Sequence, residues 1–185
     1  MRALTLAAVA VFALVTLLAG AVCAQVPFIA TYFDADYSEE TSPNPCPGIG
    51  VVDYMWVALA NTNTFVTGVE FKVAYPPQMI FLADMGTQPV TVGNTNAGIS
   101  MSWALPQNGF YTIPICKVQF IWNCDYCPTA NIPIVVVQNP FTGFLGYTDF
   151  PQYAAHTAVG LTALICQTVP AEETTWGQVK SLYGE

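Results

Sequence analysis

An alternation of apolar and polar side chains over Val66–Tyr75 is the feature that most limits how this chain can fold. The apolar positions fall on one face of an extended strand: Val69, Phe71, Val73 and Tyr75. Glu70 and Lys72 face the opposite way. A period of two residues predicts a β-strand with one buried and one solvated face.

The same kind of pattern recurs in other short segments. Cys116–Trp122 alternates in the same way, with Lys117 and Gln119 facing outward. Val51–Ala60 is apolar on both faces apart from Asp53, which is typical of a central strand covered on both sides. Further predicted strands are Phe28–Phe33, Met79–Ala83, Pro89–Val92, Ile99–Leu105, Ile132–Gln138 and Leu161–Thr168.

Turn-forming residues separate these segments at short intervals. The chain has 14 Pro and 13 Gly, and Asn-rich or Pro-rich turns such as Asn61–Asn63 and Pro76–Pro77 stand between the apolar runs. No amphipathic helix of about 10–15 residues lies between predicted strands, which disfavours a parallel α/β sheet. The sequence therefore predicts an all-β fold, an antiparallel β-sandwich over residues 25–168.

Residues 1–24 have the pattern of a secretory signal peptide. Arg2 gives a positive start, an uncharged apolar run follows to Ala21, and Val22 and Ala24 provide small residues before Gln25. An uncleaved membrane anchor is the alternative, whereas Val22 fits poorly before a lipidated Cys23. We expect a secreted protein, extracellular or periplasmic, with no membrane span after cleavage.

The charge distribution excludes some function classes. The chain has 4 Lys+Arg and 12 Asp+Glu, and loss of the leader with Arg2 leaves 3 cations, a net charge of −9. So few cations cannot form the basic face that nucleic acid requires. His156 is the one histidine, and no serine stands in a G-x-S-x-G elbow, so the sequence predicts no enzyme.

A glycan hydrolase is the alternative in the enzyme class, because such enzymes need two carboxylates in one cleft. The acids scattered through the predicted strands and their loops are Asp53, Glu70, Asp84, Asp125 and Asp149. Nothing in the sequence marks two of them as partners. Self-assembly into a surface layer or fibre through exposed sheet edges is another alternative.

The cysteines of the mature chain are disulfide candidates, since an exported protein meets an oxidising compartment. Cys124 and Cys127 form a C-x-x-C, for which a disulfide staple is favoured over zinc or a thioredoxin-type site. Cys116–Cys166 is the other predicted bridge, and Cys46 is then left over. The alternative that stays open pairs Cys46 with Cys124 or Cys127.

Two further groups are candidate sites. One is the acidic segment with Asp34, Asp36 and Glu39, whose carboxylate oxygens would suit calcium. A solvated acidic loop is the simpler interpretation of this segment. We expect no other cofactor. Tyr54 and Trp56 fall on one face of a predicted strand and form a candidate ligand face, with core packing as the alternative.

The last part of the chain differs from the rest. Residues 169–185 begin with a polar stretch that contains Pro170, and Thr174–Tyr183 can form a short helix. One face of that helix is apolar: Trp176, Val179, Leu182 and Tyr183. A helix this short is marginal alone, so we expect the tail to dock on the domain or to act as a sorting element.

Val57–Asn61 followed by Val66–Pro77 resembles the opening of a cohesin-like sandwich, within the broader group of immunoglobulin-like sandwiches. That pattern is a strand, an Asn-rich turn and G-x-x-F-x-x-x-Y-D-P, and Pro76 stands here in place of Asp. Tyr32–Asp34 and Thr175–Tyr183 are similar to segments of an uncharacterised group of exported bacterial proteins. The resemblance implies a β-sandwich and export. Cohesins bind dockerins, but no residue set transfers that activity to this chain.

Together these features predict an exported, non-catalytic binding or structural module at the cell exterior. A protein or glycan at the cell surface is the expected partner.

Overall fold

All regular elements among the described residues are β-strands. The computed structural model describes residues 25–42, 46–86, 90–126 and 131–166, and within these ranges there is no helix, hence none that could span a membrane. The strands are β1 Phe28–Tyr32, β2 Val52–Ala60, β3 Phe65–Ala74, β4 Met79–Met85, β5 Val90–Asn94, β6 Gly98–Asn108, β7 Ile113–Trp122, β8 Ile132–Val137, β9 Gly146–Phe150, β10 Ala155–Thr157, β11 Val159–Gly160 and β12 Thr162–Ile165.

The strands form two sheets. Sheet I has the order β11-β1-β2-β7-β4, and its pairs are antiparallel except for β1 with β11. Sheet II has the order β10-β9-β3-β6-β5, and the last residues of β3 also pair with β8, which pairs with β12. β4 and β5 are therefore edge strands of their sheets.

The core lies between the two sheets. Alternate residues of β2 and β7 face inward from sheet I, and alternate residues of β3 and β6 meet them from sheet II. Among its fully buried members are Met55, Val57, Leu59, Phe71, Ile99, Val118, Phe120 and Trp122. The Trp122 Nε1–H donates to Asp53 Oδ2 at 3.0 Å, so the indole keeps its hydrogen bond within an apolar layer.

The predicted antiparallel β-sandwich is confirmed, and each of the nine predicted strands is present with shifted ends. β9, β10 and β11 are additional to the predicted strands, because they are short and lack alternation. The sequence predicts that both faces of Val51–Ala60 are buried, and this is correct for the outer-face residues Ala58 and Ala60. It does not hold at Tyr54 and Trp56, which stay partly exposed on the outer face.

The cysteine pairing differs from the leading prediction. Cys46 and Cys124 form a disulfide with a Cα–Cα distance of 5.2 Å, which is the alternative that the sequence left open. The predicted Cys116–Cys166 bridge is wrong, because Cys116 lies within β7 as a buried thiol. Cys166 is disulfide-bonded at the same end of the sandwich as Cys46, with its Sγ 3.5 Å from Cys46 Sγ.

The predicted Cys124–Cys127 staple is wrong as well, since Cys124 is bonded to Cys46. Cys127 itself lies outside the described residues. The leader at 1–24 and the tail with Trp176, Val179, Leu182 and Tyr183 lie outside them too.

Candidate binding face

The outer face of sheet I is apolar over three neighbouring strands. Val52 on β2 pairs with Ile121 on β7, and Ile121 pairs with Ile80 on β4, so three aliphatic side chains stand in one cross-strand row. Val52 is 46% exposed and Ile80 is 47% exposed. An outer sandwich face ordinarily alternates to polar residues, so this row is unusual.

The next row continues the same surface. Tyr54 on β2 pairs with Gln119 on β7, whose Nε2 donates to the Tyr54 hydroxyl at 3.3 Å. On β4 the register shifts between Phe81 and Ala83, and Leu82, in this β-bulge, is 43% exposed. The bulge therefore adds one more exposed aliphatic side chain to this edge.

The third row contains the cation of this face. Trp56 pairs with Tyr32 on one side and with Lys117 on the other, and Lys117 pairs with Met85. Lys117 Nζ lies 3.8 Å from the centroid of the Tyr54 ring and 5.1 Å from that of Trp56. The two rings hold the ammonium in place by cation–π attraction while leaving it on the surface.

We call this surface the sheet I face, and it consists of Val52, Tyr54, Trp56, Ile80, Leu82, Met85, Lys117, Gln119 and Ile121. A cavity of about 210 Å³ opens at its Lys117 end, beside Met85 and Trp56. Cys116 lines the same cavity. Burial, and then the nearby Asp84 carboxylate, raise the pKa of this thiol. The thiol therefore stays protonated and forms part of the apolar lining of the cavity.

The geometry suits an apolar partner better than a stacked sugar. The ammonium of Lys117 lies over the Tyr54 ring, so it already covers one of the two ring faces on which a sugar could stack. The exposed aliphatic groups offer apolar area, and Lys117 offers one charge to a carboxylate. Apart from Lys117, Lys72 is the one lysine or arginine among the described residues.

The predicted ligand face of Tyr54 and Trp56 is thus one part of a larger surface. The sequence did not indicate Ile80, Leu82 and Met85, because their position beside β2 and β7 depends on non-local strand pairing. The alternation over Cys116–Trp122 predicts that Lys117 and Gln119 face outward from their strand, but not that they lie beside Tyr54.

The predicted calcium ligand Asp34 is hydrogen-bonded within its own loop. Asp34 Oδ1 accepts from the backbone N–H of Ser38 and of Glu39, at 2.9 and 2.7 Å, and Oδ2 accepts from the Ser38 hydroxyl at 2.7 Å. These hydrogen bonds outweigh the opposing effect of burial and hold the pKa of Asp34 below its usual range. Within the described ranges, no three acidic, histidine or cysteine side chains are grouped to hold a metal ion.

The five scattered carboxylates are bound to different structural partners. Asp53 accepts from Trp122, Glu70 from Thr142, Asp84 from Thr95, Asp125 from the N–H of Ile49, and Asp149 from the N–H of Ala154. Asp149 also lies 3.1 Å from His156 Nε2. Among the described residues, these contacts join no two of the five as an acid–base pair.

Comparison with known proteins finds a likeness in structure. No protein-family model matches the sequence, and no curated protein matches it. The chain is similar to the seventh ScaB type I cohesin from Pseudobacteroides cellulosolvens, at 10% identity and a TM-score of 0.44. The match covers 80% of this chain and 96% of the cohesin. This is a weak cohesin-like match of the β-sandwich, as the sequence pattern predicts.

Proposed function

We propose that this chain is an exported, non-catalytic module that binds a protein partner on the sheet I face. The observation that carries the proposal is the set of in-register apolar rows on the outside of β2, β7 and β4. Contiguous apolar surface on a soluble domain is typical of a protein-binding site. Export is supported by the leader pattern of residues 1–24 and by the Cys46–Cys124 disulfide.

The charge of the face defines the chemistry of the partner. Lys117 is its one cation, and no carboxylate belongs to the face. Its ammonium is held over Tyr54, so a partner meets an ordered charge rather than a mobile side chain. We therefore propose a partner with an apolar patch, to cover Ile80 and Leu82, and an acidic residue opposite Lys117.

A selection experiment tests this function with random peptides as the probe. A displayed library of such peptides is selected on the mature chain and counter-selected on the Leu82→Asp variant. We expect the recovered peptides to combine aromatic or aliphatic residues with Asp or Glu. Their affinity should fall by at least about tenfold in Leu82→Asp, since a buried unpaired charge opposes binding.

Val92→Asp is the matched control, because Val92 is 72% exposed on β5 of the other sheet. It adds the same charge away from the sheet I face and should leave the affinity unchanged. Peptides that bind wild type and Leu82→Asp equally would reject the proposed site. Self-association that Leu82→Asp abolishes would instead identify a second copy of the chain as the occupant.

A further inference from the structure

A groove of about 500 Å³ crosses the outer face of sheet II, on the opposite side of the molecule from the sheet I face. Its floor is formed by small residues in register: Gly68 on β3 lies between Ser102 on β6 and Thr148 on β9. A Cβ at Gly68 would lie 3.1 Å from the Met101 carbonyl oxygen and 3.2 Å from Ser102 Oγ. Because Gly68 has no side chain, the floor of the groove stays open at this position.

Two hydroxyl groups of the floor are available to a ligand. Among the described residues, Ser102 Oγ and Thr148 Oγ1 have no hydrogen-bond partner, although both line the groove. Thr67, in contrast, uses its hydroxyl to donate to the carbonyls of Thr148 and Asp149, at 3.2 and 3.3 Å. The two unpartnered hydroxyls flank Gly68 on either side.

Aromatic side chains form one wall of the groove. Phe150 and Tyr153 meet edge to face with ring centroids 5.8 Å apart, and Tyr153 is 65% exposed. The turn that carries Tyr153 is closed by two hydrogen bonds: the Ala154 N–H donates to the Asp149 carboxylate at 2.8 Å, and the Asp149 N–H donates to the Ala154 carbonyl at 3.0 Å. These bonds hold Tyr153 beside the floor of the groove.

Among the described residues, none of those that line the groove carries a charged side chain. The lining residues are Thr67, Gly68, Ser102, Trp103, Ala104, Pro106, Thr148, Phe150 and Tyr153. A binding site of this kind combines apolar and aromatic walls with a few placed polar groups. An uncharged ligand with many hydroxyl groups and an apolar ring face matches both the hydroxyls and the aromatic wall.

We propose that this groove binds a neutral glycan. The exposed Tyr153 ring would stack on the apolar face of a sugar ring, while Ser102 and Thr148 exchange hydrogen bonds with sugar hydroxyls. This site is on sheet II and is independent of the protein-binding function proposed for the sheet I face, so either proposal can fail alone.

The experiment has two stages with the mature chain. An array of neutral and acidic glycans is probed first, and neutral binders are then titrated while backbone amide resonances are recorded. We expect saturable binding of neutral glycans, with shifts at Gly68, Ser102, Thr148 and Tyr153. Binding of acidic glycans alone, shifts outside the groove, or no binding across the array would overturn the proposal.

Variants distinguish specific binding in the groove from non-specific binding to exposed aromatic residues elsewhere. Tyr153 has a φ of 54°, which asparagine tolerates, so Tyr153→Asn removes the ring without straining the turn. Its affinity should fall by at least about tenfold, as for a central aromatic contact, and Thr148→Val should weaken binding severalfold. Tyr111→Ala is the control, because Tyr111 is 73% exposed and lies outside the groove. Equal loss in Tyr111→Ala, or none in Tyr153→Asn with its fold intact, would overturn the assignment.

Discussion

Replacing Cys46 and Cys124 together by alanine should destabilise the domain strongly. The two cysteines are separated by 78 positions, so their bridge closes a long loop of the unfolded chain. In the chain-entropy model, a loop of that length contributes about 4.5 kcal/mol. A second disulfide, at Cys166, holds the same end of the sandwich and reduces the loss, so we expect about 2–4.5 kcal/mol.

Urea unfolding followed by tryptophan fluorescence measures this loss. A domain of this kind is stabilised by about 5–15 kcal/mol in total, so the shift in midpoint should be large. The bridge joins the segment before β2 to the segment after β7, and these two strands carry most of the sheet I face. The loss therefore also measures how firmly that face is supported.

Cys116→Ala is the control for this prediction. Cys116 is a buried thiol outside any bridge, so its truncation should cost only about 1–2 kcal/mol, the cost of a small cavity. Peptide mapping without reduction should recover Cys46 linked to Cys124 and should show alkylation of Cys116 only after unfolding. A bridge at Cys116, or a loss below about 1 kcal/mol in the double variant, would refute the reasoning.

Further predictions concern the β9–β10 turn and the sheet edges. Hydrogen bonds from a turn N–H and from His156, with the attraction of His156, outweigh burial and lower the pKa of Asp149. The ionised Asp149 therefore stabilises the folded domain at pH values above the unfolded-state pKa of about 3.9. This stabilisation is lost as pH falls through the lower pKa that Asp149 has in the folded state. The Tm difference between wild type and Asp149→Asn should therefore be widest above about pH 5 and should narrow as pH falls below about 3.9; a difference that stays constant with pH would contradict this. Gly160→Ala should cost more than about 2 kcal/mol in urea unfolding, since the new Cβ would overlap the Val136 carbonyl. Gly143→Ala, where φ is +68° and the space is open, should cost only about 1 kcal/mol, and equal losses would refute the steric argument.

Local periodicity was enough to predict most of the fold. β3 and β7 alternate because one face of each packs in the core, and that constraint is visible in the sequence. β9 carries the buried residues Gly146, Tyr147 and Asp149 with no apolar alternation, because it is short and lies at the side of sheet II. Such a strand depends on its neighbours more than on its own residues.

The site was only partly predictable, because it is assembled by strand order. Tyr54 and Trp56 are two residues apart, so their shared face follows from the strand period alone. The contact of Lys117 with Tyr54 depends on the pairing of β2 with β7, and Leu82 depends on a bulge in β4. The cysteine pairing failed for the same reason: sequence spacing does not show that Cys46 and Cys124 meet at one end of the sandwich.

Methyl NMR on a complex with a selected peptide tests the central claim most directly. The mature chain is labelled at the methyl groups of Ile, Leu, Met and Val and titrated with the peptide. Binding on the sheet I face predicts large shifts for Ile80, Leu82, Met85 and Ile121 and unchanged signals for Val92 on sheet II. Shifts at Val92 with unchanged signals from Ile80 and Leu82 would contradict the account.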